Sequence, residues 1–168
     1  KFNSANRNYL FLIATTDFQH RVFDWFDRHG RTHLPWQQAI SPYRVWVSEI
    51  MLQQTQVATV EKYFLRFMQS FQTLAVLAAA TADDVLHQWS GLGYYSRARN
   101  LHKAAQQVVI NHAGELPANI EQLTTLPGIG RSTAAAILAL SCNQRHAILD
   151  GNVKRVLARV FGIEGWGG

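Results

Sequence analysis

The sequence predicts an all-α helical bundle, and three observations carry that expectation. Apolar residues recur at spacings of three and four along most of the chain, and no convincing alternating strand appears. Helix-start chemistry is explicit, most clearly at Ser41-Pro42, where a serine can cap and a proline can take the first helical position. Between two apolar helical segments, Leu126-Pro127-Gly128-Ile129-Gly130 supplies a Pro-Gly-x-Gly turn that makes a tight helical hairpin. A chain of 168 residues is most simply one domain with a real core. With 48% apolar and 16% charged residues it reads as globular, not disordered.

Taken in order, residues 1–14 form an unassigned tail. Their apolar run, Tyr9-Leu10-Phe11-Leu12-Ile13-Ala14, is shorter than a usual signal-peptide core and far short of a membrane span. Neither secretion nor a membrane partner is expected. Thr16 and Gln19 form a capping-box pattern. They are expected to open a helix over 15–30 in which Phe18, Val22, Phe23 and Phe26 share a face. Gly30 ends it, and also breaks the helical spacing of His29 and His33, so these do not form a metal pair. Residues 31–38, holding Leu34-Pro35-Trp36, read as a loop. The Ser41 cap starts a helix to about residue 54. Further helices are expected over 57–67, 73–79, 82–89, 96–112, 119–125 and 130–142, with another starting near residue 151.

The net charge of +5 and pI near 9.7 fit a polyanionic partner without requiring one. At the hairpin, unpaired backbone N–H groups and the helix dipole favour an anion, and around Gly128 and Gly130 no Cβ blocks its approach. In a basic chain the obvious anion is a nucleic-acid phosphate. Cys142 is the one cysteine, so no disulfide framework can form within the chain, in keeping with a reducing compartment. Its apolar helical context suggests a buried structural residue.

Four features could carry chemistry. Glu49 shares a helix face with Val45, Trp46, Leu52 and Gln53. Lost hydration there favours the neutral acid and suits a general acid, although a solvated or capping glutamate is the commoner case. Asp150 follows an apolar segment and precedes Gly151-Asn152-Val153-Lys154-Arg155. A helix N-terminus favours its carboxylate, and a plain N-cap is its more usual role. A neutral acid and a carboxylate are the usual equipment for cleaving a glycosidic bond. Gly91-Leu92-Gly93-Tyr94-Tyr95-Ser96-Arg97-Ala98-Arg99-Asn100 combines a flexible turn with aromatics that can wedge or stack and arginines that can meet phosphates. A turn with its tyrosines packed inward is the alternative. Gln53-Gln54-Thr55-Gln56 could present amides to base edges, or simply end a helix. Lys103, Arg131, Lys154, Arg155 and Arg159 extend the positive charge, each of them individually an ordinary solvated residue.

Together these residues resemble the adenine DNA glycosylases of the MutY type, within the helix-hairpin-helix base-excision superfamily. The resemblance runs in order over 18–168. Its most specific pieces are Leu34-Pro35-Trp36, Ser48-Glu49-Ile50-Met51-Leu52-Gln53-Gln54-Thr55-Gln56-Val57, the 91–100 segment, and Leu149-Asp150-Gly151-Asn152-Val153-Lys154-Arg155-Val156. It implies a helix-hairpin-helix DNA-binding motif at about 119–142 inside a six-helix domain over 31–149. Residues 150–168 would open a further helical segment. It implies hydrolysis of the N-glycosidic bond of adenine mispaired with 8-oxoguanine or guanine in double-stranded DNA. Glu49 would protonate adenine N7 and Asp150 would stabilise the sugar cation or its covalent intermediate. Gln54 and Tyr94 would probe around 8-oxoguanine. Arg97, Gly128, Gly130, Arg131, Ser132, Asn152 and Lys154 would contact DNA. Endonuclease III-like relatives carry an imine-forming lysine directly after the hairpin's Gly-Arg pair. Ser132 stands there and cannot form an imine, so a monofunctional glycosylase is expected.

Family members continue into four cysteines that hold a [4Fe–4S] cluster, and into a C-terminal domain that helps recognise 8-oxoguanine. One cysteine cannot hold that cluster, so this chain is expected to ligate no cofactor or metal and to be truncated before the cluster region. In the family the 15–30 helix packs on helices from that later region. Its apolar face is therefore expected to be exposed, repacked or covered, with a monomer prone to aggregate. The implied location is bacterial cytoplasm, or nucleus and mitochondrion in a eukaryote. Two alternatives stay open: a catalytically silent DNA-binding remnant and, behind it, an endonuclease III-like pyrimidine glycosylase/lyase. A purely structural helical interaction module is weaker still.

Overall fold

The structure, a computed structural model, describes residues 4–163, with side chains from residue 15 onward. Among the described residues it is helical throughout, without a strand. The chain divides into two compact units, the first ending at Leu34 and the second starting at Pro35.

The first unit is built on α1 (Ser4–His29). Its start corrects the expected tail. Residues from Ser4 onward are already helical, so Thr16 and Gln19 lie inside the helix and do not open it. The reason is local: no glycine or proline stands between Ser4 and His29, and the Leu, Ile and Ala of the apolar run propagate a helix readily. The C-terminal end falls where expected, with Gly30 N–H donating to the Phe26 carbonyl at 2.6 Å.

The second unit begins with a 3-10 turn, Pro35–Gln37, followed by α2 (Pro42–Leu52) and α3 (Val57–Ser70). Ser41 caps α2 as expected, accepting from the Arg44 N–H, with Pro42 in its first turn. Next come α4 (Leu74–Ala79), α5 (Ala82–Trp89) and α6 (Tyr95–Asn111). Thr73 and Thr81 cap α4 and α5 separately, Thr81 in a complete capping box with Asp84. α7 (Ile120–Thr124), capped by Asn119, and α8 (Arg131–Ser141) make the two arms of the hairpin, and α9 (Gly151–Phe161) follows. Between residues 31 and 149 there are thus seven α-helices, with 73–79 and 82–89 separate as their spacing suggested.

α2 packs against α3, α6 and α8, while α6 also receives α4 and α5. Its buried stripe of Val45, Trp46, Ile50 and Met51 faces the apolar sides of these helices, where Phe64, Phe67, Trp89 and Leu138 are also buried. Edge-on aromatic pairs, Phe67–Trp89 and Trp36–Phe64, fix this core. The Tyr43 hydroxyl donates to the Phe71 carbonyl at 2.8 Å, tying the start of α2 to the end of α3. The result is a rigid seat for the C-terminal half of α2. α9 differs: none of its residues is fully buried.

Candidate active site

The end of α2, the start of α8 and the start of α9 surround a cavity of about 610 Å³. That lies within the roughly 300–1,000 Å³ span of small-molecule sites. Glu49, Leu52, Gln53, Gln54, Ser132, Thr133, Asp150 and Asn152 are among its lining residues. Glu49 and Asp150, distant in sequence, therefore converge.

Glu49 is half-buried on α2 between fully packed neighbours, Ser48 and Ile50. Burial raises its carboxyl pKa above the ordinary value, and the negative charge of Asp150 adds in the same direction. Asp150 is exposed and caps α9, with Oδ1 accepting from the Val153 N–H at 2.7 Å. The cap employs one of two carboxylate oxygens, so the residue serves as both helix start and cavity wall. A long 3.5 Å contact from Ser132 Oγ to the Leu149 carbonyl links the first turn of α8 to the residue before Asp150.

The hairpin turn is formed as the glycines require. Gly128 has φ +78°, and a Cβ there would stand 3.0 Å from Asn100 Cβ. Gly130 is the N-cap of α8 and carries no side-chain cap, while Arg131 beside it is exposed. Asn152, on the cavity wall, accepts from the Arg155 guanidinium one turn further along α9. Lys103, Arg155 and Arg159 are also exposed, and Lys154 is half-buried.

Gln54, which lines the cavity, and Tyr94, in the turn before α6, stand on unusual backbone. Gln54 has φ +56° and Tyr94 φ +48°, a left-handed conformation costing on the order of 1–3 kcal/mol for residues of this kind. Gln54 and Tyr94 are both exposed. The structure corrects the expectation for Arg97. It is buried, and its guanidinium donates to main-chain carbonyls and to Thr55 Oγ1 instead of pointing outward to a phosphate. The signal was present in the sequence. Arg97 lies on the same α6 stripe as Leu101, Ala104 and Val108, all buried, whereas Arg99 and Lys103 lie on the exposed side. Cys142, expected to be buried, is half-buried at the C-cap of α8.

A model of the HhH-GPD superfamily base excision DNA repair proteins matches residues 47–167. The chain belongs to the HhH-GPD superfamily. Within it, the chain is 49% identical over 148 residues to an adenine DNA glycosylase of Buchnera aphidicola subsp. Acyrthosiphon pisum, covering 88% of this chain and 42% of that protein. It is 45% identical over 171 residues to the adenine DNA glycosylase of Homo sapiens, covering 95% of this chain and 31% of the relative. It thus spans less than half the length of either. Among solved structures, a thermostable thymine-DNA glycosylase superposes with a TM-score of 0.76 at 25% identity, over 84% of this chain and 68% of that one.

The HhH-GPD match spans both carboxyls and the hairpin. Sequence reasoning missed Thr133 and Ile148 as cavity walls. For Thr133 the available signal was its place next to Ser132 in the first turn of α8. For Ile148, two residues before Asp150, only the path of the chain could reveal it. The cluster implied by resemblance does not fit the residues present, because Cys142 is the one cysteine. Among the described residues, no group of three or more His, Cys, Asp or Glu side chains could hold a metal ion. Nor is any described helix long and apolar enough to cross a membrane.

Proposed function

We propose that this chain carries the base-excising module of an adenine DNA glycosylase, acting on adenine opposite 8-oxoguanine or guanine in duplex DNA. The observation that carries the reading is the shared cavity of Glu49 and Asp150, with Glu49 shifted toward its protonated form. The adenine DNA glycosylases of Buchnera aphidicola and Homo sapiens, at 49% and 45% identity, support the same choice of base.

On this reading Glu49 donates its proton to N7 of an extrahelical adenine. The C1′–N9 bond then breaks with its electron pair leaving on the base. The sugar is left cationic at C1′, and the Asp150 carboxylate stabilises that charge by electrostatics or by transient bonding until water adds and gives up a proton. Gln54 and Tyr94 engage the mispair, while Asn152 and Lys154 face the DNA beside the cavity. Backbone N–H groups around Gly128 and Gly130, with Arg131 and Ser132, hold a phosphate. Ser132 has no amine, so strand cleavage through an imine is not part of the reaction. No step passes through an iron–sulfur cluster, which residues of this chain could not ligate.

The test is single-turnover adenine release from a duplex with one adenine opposite 8-oxoguanine, for the parent and Glu49→Gln. Release by the parent alone is the expected result. Salt-sensitive duplex binding without release would favour the silent DNA-binding reading. Strong borohydride trapping of a covalent DNA complex would contradict the monofunctional assignment.

A further inference from the structure

The end of α2 lacks a basic residue of its own, although a helix C-terminus leaves carbonyls unpaired and favours a cation. Arg97, at the start of α6, supplies one. Its Nη1 donates to the carbonyls of Ile50 at 3.0 Å, Met51 at 2.9 Å, and Gln53. Its Nη2 donates to Thr55 Oγ1 at 3.2 Å, the Leu92 carbonyl at 3.4 Å and the Gly93 carbonyl at 3.2 Å. The guanidinium also lies over the rings of Trp89 and Tyr94, at 5.5 and 5.3 Å. Trp89 Nε1 donates to the Gly93 carbonyl at 3.1 Å as well.

These acceptors have a pattern. Gln53 and Thr55 flank Gln54, and Gly93 directly precedes Tyr94. One planar fork thus reaches both turns whose central residues have left-handed backbone. The ladder of neither α2 nor α6 joins these turns. A lysine, with one compact ammonium, cannot reproduce a fork spanning both.

We infer that Arg97 is a positioning residue that locks the Gln54 turn and the Tyr94 turn into one unit, fixing the spacing with which the pair meets a mispaired duplex. The inference rests on the reading of Gln54 and Tyr94 as mispair-engaging residues, and its mechanical part can be tested apart from that reading.

The first arm is amide hydrogen exchange on the full chain and its Arg97→Lys variant. Segments 53–57 and 91–96 should exchange faster together, by at least about tenfold, the equivalent of one lost hydrogen bond to a charged group. Residues 60–70 of α3 should be unchanged. Thr55→Val gives a milder variant should Arg97→Lys fail to fold, and it should loosen 91–96 by about threefold through Arg97. Loosening confined to 53–57 in either variant would reduce Arg97 to a helix-end cap and overturn the inference. The second arm is the ratio of duplex affinities with and without the adenine–8-oxoguanine mispair. Arg97→Lys should lower that ratio about tenfold, since the positioning of both turns is lost, while binding of the fully paired duplex stays within about twofold. Equal weakening of both duplexes would be a general folding defect and would overturn it. If the parent releases no adenine while both turns still loosen together, the proposed activity fails and the locking role stands.

Discussion

Glu49 and Asp150 reach one cavity from two unlike helices. α2 is deeply enclosed, with Trp46, Val47 and Met51 wholly shielded from solvent. α9 has no fully buried residue, and Val156 and Val160 are about half exposed. Accordingly, the Glu49 carboxyl owes its raised pKa first to the packing around it, whereas Asp150 owes its place to a cap bond with the backbone of its own helix. The acid is set by tertiary structure. The carboxylate is set by local structure, and it can tolerate a loosely packed helix behind it.

The strongest way to break this comparison is to remove the acid. Glu49→Gln should lower single-turnover adenine release by about 10²–10⁴-fold, the usual contribution of a positioned general acid. Asp150→Asn should lower it by about 10²–10³-fold through lost charge stabilisation. Because asparagine caps a helix about as well as aspartate, its melting temperature should stay near that of the parent, whereas Asp150→Ala should cost roughly 1 kcal/mol in denaturant unfolding. A large stability loss in Asp150→Asn would show that the carboxylate does more than cap α9.

The contrast in packing can be read directly. Leu138→Ala, in buried α8, should cost about 2–5 kcal/mol by equilibrium unfolding. Val156→Ala on α9 should stay within about 0.5 kcal/mol. Equal losses would mean that α9 is as firmly held as α8.

Stability against pH sharpens the difference further. The folded-state pKa of Glu49 is raised above its unfolded value. Its contribution is therefore fully present below the ordinary glutamate range and is lost as pH rises through the raised value. Glu49→Gln should be less sensitive than the parent over that window, with the stability gap in its favour growing toward neutral pH. A gap that stayed constant with pH would contradict the burial of Glu49.

These same two helices explain what the sequence made legible. Ser41-Pro42 and Asp150 are local signals, and each caps a helix where its chemistry says it should. The environment of Glu49 was readable because its apolar neighbours lie on one helical face. The convergence of Glu49 with Asp150 was not, since spacing along the chain says nothing about how α2, α8 and α9 approach one another. Arg97 went astray for a different reason: charge and a flexible turn suggested the surface, while the α6 stripe with Leu101 and Val108 placed it inside. The start of α1 failed because a capping pattern is informative only where the preceding residues resist helix, and those before Thr16 do not.

The most direct measurement of the pairing is single-turnover adenine release across pH for the parent and Asp150→Asn. The parent rate should fall as pH rises through a Glu49 pKa above the ordinary carboxylate range. In Asp150→Asn that limb should move to lower pH, because the charge that helps raise the Glu49 pKa has gone. Coincident limbs in the two proteins, or a parent rate indifferent to pH there, would contradict a shared site in which Glu49 is the acid.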